Sequence, residues 1–200
     1  MSSVVLSGDT SGTVTVTVPA IAGSNTVTIP AGTGTVAVQG VSTNIVSGTA
    51  VASTSGTSID FTSIPSWVKR ITVMMNGVSI SSAAPYPIVQ LGSGSVTASG
   101  YLGTLTTLVS SSSVSTIATT TGFYFGNFSS TADTVNGQMV LTLQNSNNWV
   151  ASGTFSNTNN LRGLLTAGNL SLGGTLDRIR ITTTNGTTTF TAGSINILYE

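Results

Sequence analysis

Valine alternates with threonine in "SGTVTVTV", "SNTVTI" and "TGTVAV", three stretches within the first forty positions. Each presents an aliphatic side and a hydroxyl side, the period-two pattern of a half-buried strand. All three units read hydroxyl, turn residue, then Thr-Val-x-aliphatic. Pro19-Ala20 and Pro30-Ala31 close the first two, because proline has no N–H to give to a ladder. Strands of about five residues cannot bury such a stripe alone. Val14, Val16, Val18, Val27, Ile29, Val36 and Val38 are therefore expected to pack against the rest of the chain, other copies of it, or a host assembly.

Residues 42–58 are small and polar with scattered aliphatics. They read either as a spacer, with a boundary near Gly48 to Gly56, or as further edge strand at Ile45-Val46 or Ala50-Val51. The spacer divides the chain into an N-terminal β-repeat attachment segment (1–50), a linker (51–57) and a C-terminal domain (58–200). Beyond residue 58 all the tryptophan, tyrosine and phenylalanine appears. Strands are predicted over 58–61, 69–75, 88–91, 101–109, 122–128, 138–144, 149–155, 176–182 and 188–198. Asn76-Gly77, Asn136-Gly137 and Asn185-Gly186 have the chemistry of tight hairpin turns that need positive φ. Only 161–172 hints at helical spacing, and Gly163 and Gly168 argue against it. In "DRIRITTTNGTTTFTAGSINILY", Ile179 and Ile181 point inward and Arg178 and Arg180 outward. Phe190, Ile195 and Ile197 continue the core side if one bulge falls near Gly193. The expected fold is all-β: a short β-rich attachment or shaft segment, then an antiparallel β-sandwich, jelly-roll-like in topology.

Charge changes the picture by its scarcity. Charged residues are 5% of the chain, the net charge is zero, and serine with threonine makes up about a third. Five basic residues cannot build a phosphate-neutralising surface, so nucleic acid is not an expected partner. A β-rich surface with so little repulsion favours self-association. Cysteine and histidine are both absent, which removes disulfide, thiolate and imidazole chemistry. No apolar run approaches a membrane span, and Met1 to Asp9 does not read as a secretory signal.

Candidate chemistry is correspondingly thin. Asp60 and Asp177 could form a hydrolytic carboxylate pair only if a fold brought them about 5–9 Å apart. Ion pairs for both, and a turn cap for Asp133, is the plainer reading. A serine nucleophile would depend on Lys69, the only lysine, which enters a strand after Pro65-Ser66. The chain reads as non-enzymatic, with no catalytic, cofactor or metal residue assigned. One tryptophan is expected to anchor the core and the other to be exposed. Asn147, Asn148, Trp149 and Asn159 place amides beside an aromatic, a combination suited to neutral carbohydrate.

The segment "AGSNTVTIPAGTGTVAV" resembles one near the N-termini of tailed-bacteriophage fibre and virion-surface proteins. "GTLDRIRITTTNGTTTFTAGSINILYE" and "SGTSIDFTSIPSWVKRITVMMNGVS" are similar to a C-terminal domain of phage and prophage structural proteins. The resemblance implies a virion component, commonly trimeric, assembled in the bacterial cytoplasm. Its N-terminal part would be attached to capsid or tail proteins and its C-terminal domain would face outward. Lacking a long repetitive shaft, the chain suits a short head fibre, spike or decoration protein. The alternative is a carbohydrate-binding or adhesin module, including a tail-fibre role at a host-surface glycan.

Overall fold

Because valine, isoleucine and threonine alternate almost throughout, the backbone's best use of its hydrogen-bonding groups is the sheet ladder. The computed structural model describes residues 3–7, 13–17, 45–83, 85–110 and 113–200, and among them no helix occurs. The chain forms two compact units, residues 1–37 and 38–200. In the first, β1 (Ser3–Ser7) and β2 (Thr13–Thr17) pair antiparallel, with Val4 opposite Val16 and Leu6 opposite Val14.

The second unit opens with two short strands, β3 (Val46–Ser47) and β4 (Val51–Ala52). There follow β5 (Ile59–Thr62), β6 (Arg70–Ile80), β7 (Pro87–Ser93), β8 (Ser95–Val96), β9 (Leu102–Val109), β10 (Val114–Thr119) and β11 (Phe123–Tyr124). The chain finishes with β12 (Val135–Asn145), β13 (Asn148–Asn157), β14 (Arg162–Ser171), β15 (Arg178–Thr183) and β16 (Phe190–Tyr199). A large antiparallel sheet runs β10-β9-β14-β13-β12-β6-β16-β3, with β4 also on β16. A smaller one runs β11-β7-β15-β5, with β8 on β7. The pairs β6/β16, β7/β15 and β9/β14 are nested in sequence and alternate between sheets, the winding of a jelly-roll-like sandwich. The β12–β13 hairpin widens the large sheet between β14 and β6.

One core joins the sheets. The small sheet sends in Ile59, Phe61, Val89, Leu91, Phe123, Ile179 and Ile181. The large sheet answers with Ile71, Val73, Met139, Leu141, Trp149, Leu164, Ile195 and Ile197. Ile179 and Ile181 face inward while Arg178 and Arg180 face outward, and Phe190, Ile195 and Ile197 are buried on either side of an irregularity at Gly193, as the alternation requires.

Three expectations are corrected. Asn76-Gly77 and Asn136-Gly137 are not hairpin turns but lie inside β6 and β12. There Gly77 (φ 62°), Gly137 (φ 144°) and Gly193 (φ 95°) of β16 form a row of bulges across three neighbouring strands. The Asn136 Oδ1 accepts the Gly77 N–H at 2.7 Å, so the asparagine serves the adjacent strand rather than a turn. Asn185-Gly186 is a turn, closed by Gly186 N–H donating to Thr183 O at 3.0 Å, but it carries the chain from β15 in one sheet to β16 in the other. The stretch where Gly163 and Gly168 argue against a helix is strand β14. Leu164 and Leu170 point inward, and exposed Leu161 and Leu165 on the far side blur the alternation. Finally, residues read as a spacer join the sheet edge: Gly48 N–H donates to Ile197 O, Ser53 N–H to Gly193 O, and Ser53 Oγ to Ala192 O. The edge-strand alternative is the one the backbone takes.

Candidate functional site

The outer face of the small sheet carries a cleft of about 330 Å³. Its floor follows from register: Ile88 and Gln90 of β7 lie opposite Thr182 and Arg180 of β15 and point away from the core. Ile88 is buried yet stands outside the inter-sheet cluster, because loops cover it from outside. One cover is the loop after β10. The Gln90 Nε2 donates to Thr121 O at 2.8 Å, and Gly122 approaches so closely that a Cβ there would meet the Ile88 Cβ at 2.9 Å.

The other walls are equally fixed. Buried Tyr101 accepts the Leu91 N–H at 2.8 Å and donates to Thr97 O at 2.9 Å, which sets Ala98 at the rim. The Thr182 hydroxyl donates to Thr57 O at 2.7 Å, holding Thr57 and Ser58 against the floor. The turn at Thr183–Gly186 closes one end, its Asn185 Oδ1 already accepting the N–H groups of Thr187 and Thr188. Arg180 reaches Asp60 with two parallel bonds, Nε to Oδ1 at 2.7 Å and Nη2 to Oδ2 at 2.8 Å.

Two polar groups in this cleft are left open. The Thr121 Oγ1 is buried with no hydrogen-bond partner. Gln90, 7% exposed, uses only its amide nitrogen, leaving Oε1 without a donor among the described residues. Buried polar atoms are nearly always satisfied, so the Thr121 hydroxyl marks a place where something from solvent belongs, with the Gln90 Oε1 as a free acceptor beside it.

Asp60 and Asp177 are each committed to an arginine. Asp177 is bidentate with Arg178, at 2.8 and 3.0 Å. The Arg178 hydrogen bond holds its carboxyl below the usual aspartate range, outweighing desolvation. A general acid needs the opposite shift. The ion-pair reading of Asp60 and Asp177 therefore holds. Among the described residues no three acidic, histidine or cysteine side chains converge to hold a metal ion.

Asp133 caps the turn at 129–133, accepting the N–H groups of Ser129 at 2.7 Å and Ser130 at 3.2 Å together with the Asn160 amide. Burial pushes its carboxyl up, but bonds from Ser129, Asn157, Ser130 and Asn160 together hold it below the ordinary value. The folded state thus favours the charged form. Its stabilising contribution is complete above the unfolded value of about 3.9 and is lost as pH falls through the lower folded one. Urea midpoints measured from pH 7 to pH 2 are expected to drop below about pH 4. Asp133→Asn should flatten that fall, leaving the share due to Asp177, whose shift has the same sign.

The residues expected to contact glycan are not brought together. Trp149 is 2% exposed and belongs to the core, so its ring cannot stack on a sugar. Asn147 and Asn148 sit at the β12–β13 hairpin, where Asn148 Nδ2 donates to Asn145 Oδ1 at 2.7 Å. Asn159 lies past the other end of β13, roughly 30 Å away along a ten-residue strand, its amide donating to Ala132 O. The exposed tryptophan is Trp67, 52% accessible and tilted against Tyr199 at 5.9 Å. Of the residues expected to attach or oligomerise, Val14 and Val16 lie on β2. Val18, Val27, Ile29, Val36 and Val38 lie outside the described residues.

Sequence reasoning missed Gln90, Thr121 and the role of Ile88. The available signal was the glutamine itself, a lone polar side chain inside "PIVQLG". Taken together the features define a class, the all-β antiparallel sandwich with a nearly uncharged surface and a hydroxyl- and amide-lined cleft. Compared with protein-family models, with curated proteins and with solved structures, the chain matches none.

Proposed function

We propose that this chain is a non-enzymatic structural protein of a bacteriophage particle, a short homotrimeric head fibre, spike or decoration protein. Its N-terminal segment anchors to the virion and its sandwich is exposed. The reading rests on the resemblance of "AGSNTVTIPAGTGTVAV" and of the closing strands to phage structural proteins. The observation that carries its self-association is the outer face of the large sheet. From β10 to β16 the outward positions are threonine, serine, asparagine, glutamine, small residues and aliphatics. The charged residues there are Arg70 and Glu200, paired with each other at 2.6 Å at one corner.

Val114, Leu108 and Leu165 give this face an exposed aliphatic end. Seven strands about 4.8 Å apart and about 30 Å long present roughly 1,000 Å². A stable interface takes about 800 Å² from each partner. A face of that size without repulsion supports contact between copies.

Light scattering on the purified chain is expected to give three times the mass of one chain. Mass spectrometry of purified particles should find the protein in stoichiometric amount. A monomer at all concentrations would remove the homotrimer, and absence from virions would remove the function.

A further inference from the structure

We propose that the cleft on the outer face of the small sheet binds an uncharged polyhydroxylated ligand, one or two sugar units of a neutral saccharide. The cleft's chemistry leads to this class by elimination. Its lining is hydroxyl and amide, from Thr57, Ser58, Thr121, Thr182 and Gln90, with exposed Ala98 as the aliphatic contact at the rim. An apolar ligand would leave the open Thr121 hydroxyl and Gln90 carbonyl dry, each at the full cost of an unsatisfied buried group.

An anion is disfavoured because the charge on Arg180 is already met by Asp60 through two short bonds. Among the cleft's lining residues no other charged side chain appears. A neutral sugar ring matches both features, since hydroxyls both donate and accept while ring C–H groups rest against the Ala98 methyl. The Gln90 Oε1 accepts from one ligand hydroxyl, and the Thr121 hydroxyl, free to rotate, donates to or accepts from a second. The unused N–H groups of Arg180 are a third contact.

Size agrees. A space of about 330 Å³ holds roughly ten waters, enough for one or two pyranose rings in their place. The walls are tied down by hydrogen bonds from the Tyr101 and Thr182 hydroxyls and the Gln90 amide, so binding would order little that is not already ordered.

The test is a nitrogen-15 amide titration of the full chain. Neutral probes are glucose, galactose, mannose, rhamnose, N-acetylglucosamine and lactose. N-acetylneuraminic acid and sulfate serve as anionic probes. At least one neutral saccharide is expected to shift the amides of Gln90, Thr121, Arg180 and Thr182 together at millimolar concentration. Thr121→Val keeps the side chain's shape and removes its hydroxyl, and should weaken that binding about tenfold. Gln90→Leu should do the same, but it also releases the Thr121 carbonyl, so Thr121→Val with an unchanged melting temperature is the decisive variant. The proposal is overturned if no neutral saccharide moves these amides, if only the anionic probes do, or if Thr121→Val binds as the parent does.

Discussion

Trp149→Ala is expected to cost about 3–5 kcal/mol of folding stability, the range for emptying an aromatic site in a packed core. Domains are stable by about 5–15 kcal/mol in all, so this variant should be near the edge of folding. The magnitude follows from position. Trp149 is 2% exposed on β13, with Leu143 of β12 and Leu170 of β14 as its cross-strand neighbours. It sits at the end of the sandwich where Val68 and Leu176 close the core. Guanidinium unfolding should show a lower midpoint with an unchanged slope, since a cavity alters stability rather than the surface exposed on unfolding. Trp67→Ala is the control. Half exposed and touching Tyr199, it should cost about 1 kcal/mol or less. Equal effects for the two tryptophans would mean that Trp149 is not where the core places it.

Gly193→Ala is expected to be nearly as damaging, at about 2–5 kcal/mol, because two penalties add. The residue lies at φ 95°, where a side chain is strained. Its Cβ would also stand 2.4 Å from Gly77 O and 2.6 Å from Asn76 O, both backbone atoms of the adjoining strand. A flexible side chain could swing aside, but a paired strand cannot without losing its ladder. Gly94→Ala separates the two terms, having φ 69° and open space around the new methyl. It should cost only the left-handed term, about 1–2 kcal/mol. Denaturant midpoints for the pair decide the matter: if Gly193→Ala costs no more than Gly94→Ala, the row of bulges tolerates a side chain and does not fix how β6, β12 and β16 bend.

Much of the sheet structure was legible locally. Strands β5, β7, β9, β13, β15 and β16 lie within a residue or two of the stretches predicted from alternation, because a strand's two faces are written in adjacent residues. Asp133 read correctly as a cap, since the N–H groups it accepts lie three and four residues before it. Strand β10, "VSTIAT", went unseen because it is exposed along most of its length and carries little apolar contrast. Leu161 and Leu165 hid β14 in the opposite way, putting large aliphatics on the wet side.

The cleft was illegible for a different reason. Gln90 meets Arg180 across ninety positions of sequence and Thr121 across thirty-one, so its chemistry exists only once β7, β15 and the loop after β10 are adjacent. The same holds for Trp67 and Trp149, each flanked by aliphatic and polar residues that do not say which ring finds a core.

By itself the sequence determined the all-β class, the inward side of β15 and β16, the scarcity of charge and the absence of histidine and cysteine chemistry. These are properties of neighbouring residues and of composition, set by backbone period and side-chain type. The tertiary structure alone decided that Asn76-Gly77 and Asn136-Gly137 are bulges rather than turns, that Trp149 is the buried ring, that residues 46–52 complete a sheet edge, and that a polar cleft lies outside the small sheet. Each depends on register between strands distant in the chain, and register is fixed by the packing of the whole core.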